Sequence, residues 1–527
     1  MRAQLVDSLQ SLYPDAEVGQ LPPVKASVDV ARGGTIAVHV LVNDLPAGGR
    51  LDAAARSGGS RRAVARARWF RLVDVPVEEN TGLHCFTEKA GEPNPYVARR
   101  APCRVYDAMQ PVTRALPISG ATLALRLEIP VASDERPGTR RYEAVLTCGK
   151  SVVVLPFTAA VHRAVVPKVG KASLPYTNWF SYSLMAERHG LEPWSPGHWR
   201  MIERYAALMV HARQNTFWVP WQDVFAKTAR GLVLDRERLR RIVRLFTAAG
   251  MHFIEGGHVA QRTGGQWEAT TFSIALTEAL ATTPAGNADL ACACGQLMEE
   301  IESQGWRARW IQHVTDEPTQ ANAVDYRILT GMVRKYMPGL PILDATMDTS
   351  LAGSVNIWCP QCHEAQKHRE TFAAQQALGD KVWFYTCCCP GGPWLNRLLD
   401  QEMLRPALLG WGAALFDLDG FLHWGLNHYR PDQNPFEKSV VGHGGENKLP
   451  AGDTHIVYPG PGGPWSSLRL EAQREGFEDC ELLRILKSRK PKAAERVLAR
   501  AIRGFDDYAK DTATFRAARK ALLVALA

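Results

Sequence analysis

The sequence predicts a mixed α/β protein: a (β/α)8 TIM barrel preceded by an all-β sandwich domain, with a C-terminal helical extension. Three observations carry this. Short alternating apolar runs separated by turn residues fill the first 165 residues or so. After Pro167 strand-like runs alternate with helical stretches, which is the pattern of parallel βα units. The number of those runs is eight within about 260 residues, the size of such a barrel. The expected domains are residues 1–165 (sandwich), 166–430 (barrel) and 431–527 (hairpin and helices packed on the barrel).

In the first segment, "VKASVDVARGGTIAVHVLVND" has two alternating runs split by Gly33-Gly34, a hairpin signal. "ATLALRLEIPV" repeats the theme, and so does "RRYEAVLTCGKSVVVLPFTAAVHRAVVP", with Cys148-Gly149-Lys150 as its turn. No catalytic cluster falls here.

The barrel strands are expected in order within "YTNWFSYS", "NTFWVPW", "MHFIEGGH", "RWIQHVTDEP", "PILDATM", "SVNIWCP", "KVWFYTCC" and "AALFDLDGFLHWGLNHY". The helix after the first opens at Ser195-Pro196, an N-cap with proline at the first helical position. It continues with Trp199, Ile202, Tyr205, Leu208 and Met209 at helical spacing. The helix around "DRERLRRIVRLFTAAG" closes at Gly250, and a helical stretch "NRLLDQEMLRPALLGWGA" precedes the eighth strand. Periodicity alone does not separate a barrel from an open doubly wound sheet. The count of eight, and the lack of a Gly-x-Gly-x-x-Gly at the first turn, favour the barrel. Beyond Arg430 a Gly/Pro-rich excursion leads into the helix "SSLRLEAQREGFEDCELLRILKS".

Composition narrows the function. The 527 residues are 46% hydrophobic and 22% charged, with a net charge of +8, which is ordinary for a globular chain. There is no long Lys/Arg block and no basic stripe with interleaved aromatics, so nucleic acid is not an expected partner. No apolar run reaches the ~18 residues of a membrane span. The N-terminal stretch lacks an apolar core and a cleavage site, so the expected location is cytoplasmic, or exported with a leader missing from this chain. Oligomeric state is not legible. The fifteen Trp serve mostly as core packing, although their flat faces also stack on sugar rings. The eleven Cys do not form a secreted disulfide framework in a chain this long. "CPQC" (Cys359, Cys362) has the spacing of half a zinc site, and Cys387 to Cys389 form a second cluster. No second well-spaced pair completes four ligands, so ordinary thiols, with no metal and no cofactor, are the expectation.

The chemistry is expected at the C-terminal ends of the strands, where barrel enzymes keep their active sites. Asp316 and Glu317 end the fourth strand. A second Asp-Glu pair, Asp134 and Glu135, falls in a turn of the sandwich and is set aside. The same edge collects Asp223 after strand two, Glu255 and His258 after three, Asp344 and Asp348 after five, Trp358 after six, Tyr385 after seven and Trp424 after eight. Carboxylates with large aromatics suit a sugar: the acids hold hydroxyls and the rings stack. Lining of the rim is the plainer account of any one aromatic. Ordinary glycosidases place two carboxylates ~5 Å or more apart across the bond, which sequence neighbours rarely achieve. Neighbours can divide the work if a 2-acetamido group of the substrate is the nucleophile. One acid then holds the acetamido N–H, and the other protonates the leaving oxygen and later activates water. For the second role Glu317 needs a pKa above the usual ~4.3, which burial and the Asp316 charge both favour.

The pieces "TDEP", "VWFYTCC", "GFLHWGLNHY" and "YPGPGGPWSSLRLEAQREGFEDCELL" resemble glycoside hydrolase family 123, the β-N-acetylgalactosaminidases and their relatives, over roughly residues 170 to 490. The resemblance implies a glycan or glycoconjugate substrate, release of a β-linked N-acetylhexosamine (N-acetylgalactosamine favoured) with retention, and an oxazoline-type intermediate. It also implies that Asp316 orients the acetamido group and Glu317 is the general acid/base. Tyr385 would hold the acetamido carbonyl, with Trp358 and Trp424 in the sugar platform. Two alternatives stay open. One is a two-carboxylate glycosidase pairing Glu317 with Asp344 or Asp417. The other is an inactive carbohydrate-binding protein, against which the intact acid pair argues.

Overall fold

The computed structural model describes residues 1–24, 27–60, 62–229 and 231–527. The chain forms two compact units.

The first unit comprises Met1–Lys168, Cys388–Leu415 and Leu426–Ala527. Its N-terminal part holds two five-stranded sheets. One runs, in spatial order, Arg2–Asp7, Thr35–Asn43, Leu123–Pro130, Arg68–Val77 and Cys103–Pro111, with every neighbouring pair antiparallel. The other runs Ser27–Arg32, Ser151–Val165, Gly138–Cys148, Arg50–Ser57 and Leu116–Pro117. Alternation along each strand sends one side inward, so Val38, Val40, Leu125 and Leu127 of the first sheet share one apolar core with Val30, Leu146, Phe157 and Ala159 of the second. Each such side chain stabilises by about 1.5–3 kcal/mol on burial.

Cys148-Gly149-Lys150 forms the expected hairpin turn: Gly149 has φ +57° and Ser151 pairs with Cys148. Gly33-Gly34 does not. Ser27–Arg32 pairs in parallel with Ser151–Val165, whereas Thr35–Asn43 pairs in the opposite sheet. The two glycines turn the chain from one sheet to the other, with Gly33 at φ +80° and its N–H donating to Val131 O at 3.0 Å. A glycine pair signals a reversal but not whether the flanking strands will pair with each other.

The C-terminal segment was expected on the barrel; its contacts group it with the sheets of this unit. Helix Leu468–Arg489 is capped by Ser467 Oγ, which accepts from Leu470 N at 3.0 Å. It crosses helix Leu404–Leu415 at two glycines: a Cβ on Gly410 would lie 2.2 Å from Gly476 O, and one on Gly476 would lie 1.9 Å from Ala407 O. Buried charges join the helices to one another and to the strands. Arg469 Nε donates to Asp107 at 2.9 Å, and Arg519 donates to Asp479 at 3.0 Å and to Asp29 O at 2.6 Å. One disulfide, Cys85–Cys389, spans 304 residues of sequence, a pairing that composition and spacing did not suggest.

The second unit comprises Val169–Cys387 and Phe416–Gly425. Two all-parallel sheets, of three and five strands, contain eight strands in all, one within each of the eight expected runs. The three-stranded sheet is Thr216–Val219, Phe253–Gly256 and Trp310–Gln312. The five-stranded sheet is Tyr176–Asn178, Gly420–His423, Lys381–Tyr385, Ile357–Trp358 and Leu343–Asp344. A parallel bridge joins Gln312 to Ile342, and Asn215 N donates to Tyr176 O at 3.2 Å.

Helices intervene as expected. Pro196–His211 begins at Ser195, whose side chain accepts from His198 N, and Arg236–Ala249 ends at Gly250 with φ +117°. Helix Leu404–Leu415, before the eighth strand, belongs to the first unit. No helix among the described residues is long and apolar enough to cross a membrane.

Candidate active site

The fourth strand, Trp310–Gln312, runs directly into His313, Val314, Thr315, Asp316 and Glu317. His313 is fully buried between two fully buried carboxylates: Nε2 is 2.7 Å from Glu255 and Nδ1 is 3.1 Å from Asp344. Burial alone would lower its pKa. The hydrogen bonds to Asp344 and Glu255, with their charges, outweigh burial and push it up to about 9. His313 is therefore an imidazolium that donates from both nitrogens.

Its partners are themselves occupied. Glu255 accepts from Thr177 Oγ1 at 2.6 Å and Trp179 Nε1 at 2.9 Å. Asp344 accepts from Val314 N at 3.2 Å, Thr315 N at 3.3 Å and the Tyr326 hydroxyl. The ends of strands one, three, four and five are tied together through this one network. Asp344 in particular holds the two peptide N–H groups that lead into the acid pair.

Glu317 adopts φ +48°, a left-handed conformation that costs a non-glycine residue roughly 1–2 kcal/mol and that gathers at functional sites. Arg262, on the short strand Ala260–Arg262, donates to the Glu317 carbonyl at 2.5 Å and lies 4.0 Å from the centre of the Trp267 ring. The Tyr385 hydroxyl donates to the Glu317 carboxylate and accepts from Gln361 Nε2 at 3.1 Å.

Asp316 is exposed and Glu317 half-buried, yet desolvation is the largest influence on both. Desolvation and then the Glu317 charge push Asp316 up; desolvation pushes Glu317 up, against the Tyr385 hydrogen bond and the Arg262 charge. The pair thus keeps a proton closer to neutrality than two separate acids would.

Aromatic groups pack around His313, with Trp179 at 5.3 Å and Trp218 at 5.5 Å between ring centres. Trp179 and Trp218 stack at 4.7 Å, and His258 meets both edge-on, at 5.0 and 5.2 Å. Burial, then the His313 charge, keeps His258 neutral. Trp424 is half-buried just past the eighth strand. Trp358 is not part of any platform. It is 0% exposed, its Nε1 donates to Asp380 at 2.9 Å, and its ring packs against Phe372. Its position on the strand turns it into the helix layer, a choice of face that a two-residue strand does not reveal by alternation.

The other rim acids have different fates. Asp223 lies in the turn Trp221–Val224, and burial pushes it up to about 6. Asp348 caps Ser350 N at 2.9 Å. Asp417 is exposed ahead of strand Gly420–His423 rather than after it. Cys359 is fully buried, and burial followed by the charges of Glu255, Asp316, Asp344 and Glu317 holds it as a neutral thiol. In the first unit, Asp134 and Glu135 border a surface concavity of about 450 Å³, where Glu135 pairs with Arg140 at 3.0 Å.

Sequence reasoning missed His313, Trp179, Trp218 and Arg262. A histidine inside an apolar strand, three residues before the acids, was an available signal. Nothing local marks Arg262, which arrives from an excursion after strand three.

Residues 266–486 match the family model described as glycoside hydrolase 123, catalytic domain, so this region is similar to the glycoside hydrolases of that family. The particular likeness is to a family 123 glycoside hydrolase from Clostridium perfringens, whose structural analysis concerned glycolipid glycan hydrolysis. It has a TM-score of 0.75 and 13% identity, and covers 99% of this chain and 98% of that one. At that identity the likeness shows a shared fold. An endo-β-1,4-mannanase from Thermotoga petrophila matches with a TM-score of 0.37 and 9% identity over 60% of this chain and 77% of that one. No curated protein sequence matches.

Proposed function

We propose that the chain is a retaining β-N-acetylhexosaminidase that uses the 2-acetamido group of its substrate as nucleophile, with N-acetylgalactosamine the favoured sugar. We also infer that the two parallel sheets close into one (β/α)8 barrel, that the two five-stranded sheets form a sandwich, and that the acids stand at the barrel's C-terminal mouth. The bridge between Gln312 and Ile342 and the Asn215–Tyr176 contacts support closure.

One observation carries the reading: Glu255 and Asp344, the carboxylates of the neighbouring strands that meet at His313, are already engaged. A two-carboxylate glycosidase needs a second acid across the bond from Glu317, ~5–9 Å away. Asp344 and Glu255 are fully buried with their oxygens engaged, and Asp417 precedes its strand rather than following it. Asp316 remains, adjacent in sequence and suited to orient rather than attack.

In this mechanism Asp316 accepts the acetamido N–H as the carbonyl oxygen closes on the anomeric carbon. Glu317 gives its proton to the leaving oxygen, then takes one from the water that opens the oxazoline ring. Tyr385, already on the Glu317 carboxylate, is within reach to donate to the acetamido carbonyl once substrate displaces that contact. Its burial holds it neutral, so it remains a donor.

A panel of chromogenic β-glycosides with and without a 2-acetamido group tests the reading. Turnover restricted to 2-acetamido sugars is expected. Equal turnover of the plain glycosides would transfer the role of nucleophile to a protein carboxylate.

A further inference from the structure

Three cysteine sulfurs converge in the first unit, and we infer that in the reduced protein Cys85, Cys388 and Cys389 form a three-thiolate site for a thiophilic d10 metal ion, Zn2+ or Cu+. Cys388 Sγ lies 3.4 Å from Cys85 Sγ and 3.9 Å from Cys389 Sγ, and all three sulfurs fall within 4.8 Å of one another. A ~2.3 Å metal–sulfur bond at the tetrahedral angle places thiolates about 3.8 Å apart, so the two separations from Cys388 suit one shared ion, and the third pair, Cys85 and Cys389, must part from its disulfide to the same spacing on reduction. All three residues are half-buried, so a fourth position stays open to water or a small ligand.

The sulfurs do not depend on the Cys85–Cys389 disulfide to stay together. The backbones on either side are joined independently: Gly391 N donates to His84 O at 2.7 Å and Gly392 N to Gly82 O at 3.3 Å. The approach is so close that a Cβ on Gly391 would lie 2.0 Å from Gly82 O. Each loop is also held from behind. Gly82 N donates to Phe86 O at 2.8 Å across the cysteine turn, Thr81 N and Oγ1 both donate to Asp400, and Asn94 Nδ2 donates to Thr81 O and Gly82 O. On the other side Asn396 Nδ2 donates to Pro390 O at 3.1 Å and Arg405 to Gly392 O at 2.9 Å. Two loops fixed this way present the thiols together before any metal arrives, which lowers the ordering cost of binding.

Redox state governs occupancy. A dithiol reductant supplies two electrons and two protons, is itself oxidised to a disulfide, and converts the Cys85–Cys389 bond to two thiols. Binding then releases the thiol protons to solvent, so affinity falls as pH is lowered. Sequence spacing pointed elsewhere, to Cys359 and Cys362, because the ligand that completes the set lies some three hundred residues upstream.

The test uses the full chain, reduced with a dithiol, freed of reductant under anaerobic conditions and titrated with Co2+. Expected are one equivalent bound, a thiolate-to-metal charge-transfer band and tetrahedral Co2+ absorption in the visible. The oxidised protein should show neither. Cys388→Ser keeps the disulfide partners and should weaken binding beyond the ~10–100-fold lost when a ligand's own hydrogen-bond partner is changed, while Cys362→Ser should bind as the parent does. Zn2+ and Cu+ are then added as competitors, and a thiophilic d10 ion of either kind should displace Co2+ stoichiometrically. No stoichiometric binding by the reduced parent, unchanged binding by Cys388→Ser, loss in Cys362→Ser, or displacement by neither ion would overturn the assignment.

Discussion

The Tyr385 hydroxyl donates to the Glu317 carboxylate, joining the ends of the seventh and fourth strands at the group proposed to move the proton. A hydrogen bond to the charged form lowers a carboxyl pKa. Here it acts against burial, which pushes Glu317 up.

Tyr385→Phe removes that stabilisation of the carboxylate, so the Glu317 pKa rises. The acid must be protonated for the first step, and the alkaline limb of kcat/KM against pH should therefore move to higher pH. kcat should fall as well, since the proposed donor to the acetamido carbonyl is lost. A profile of kcat/KM on a 2-acetamido aryl glycoside reads both effects. An unmoved alkaline limb would separate Tyr385 from the acid.

Glu317→Gln should abolish turnover of substrates with poor leaving groups, by roughly 10²–10⁴-fold, and reduce activated aryl glycosides by less. A good leaving group needs little protonation. In the proposed mechanism Glu317 also activates water in the second step, so the sparing is partial. Equal loss on both substrate types would count against Glu317 as the acid.

Asp316→Asn keeps the size but removes the charge that the closing acetamido group needs. A charge-assisted hydrogen bond in a desolvated site is worth ~2–4 kcal/mol, or about 10²–10³ in rate. The loss should fall on kcat rather than KM, because ground-state binding rests on hydroxyl contacts and stacking. A thiazoline analogue of the cyclised intermediate should inhibit the parent and bind the variant much less well. Near-parental kcat in the variant would remove Asp316 from the reaction.

His313 makes stability pH-dependent. Its folded pKa, raised to about 9, stands above the ordinary ~6.5 of the unfolded chain. The protonated form is therefore the one folding favours, and the contribution is fully present below about pH 6.5. It is lost as pH rises through about 9, by an amount on the order of 3 kcal/mol. Urea denaturation across that window should show stability falling with pH. His313→Gln should flatten the slope while lowering stability throughout, because it leaves Glu255 and Asp344 buried without their shared cation. A slope that persisted in the variant would assign it to other groups.

Much of this molecule was legible along the chain. Each of the eight expected runs contains a parallel strand. Ser195-Pro196 opens a helix and Gly250 closes another, and Cys148-Gly149-Lys150 turns a hairpin. These are near-neighbour effects: side-chain period, a capping oxygen, a residue free to take positive φ. The place of Asp316 and Glu317 just past the fourth strand was also legible, because the end of a strand is a position in sequence as well as in space.

What the tertiary structure alone decided depends on which distant groups meet. Trp358 became core because its short strand turned it toward Phe372 and Asp380. Gly33-Gly34 became a corner between sheets because the flanking strands found other partners. The C-terminal helix joined the first unit through Gly410 against Gly476 and Arg469 on Asp107. Cys85 met Cys389 across 304 residues, and His313 acquired a carboxylate on each nitrogen from two other strands. Local sequence determined the elements and their ends, because backbone conformation answers to adjacent residues. Partnership, burial and charge state waited for the fold, because they follow from distances that no local pattern encodes.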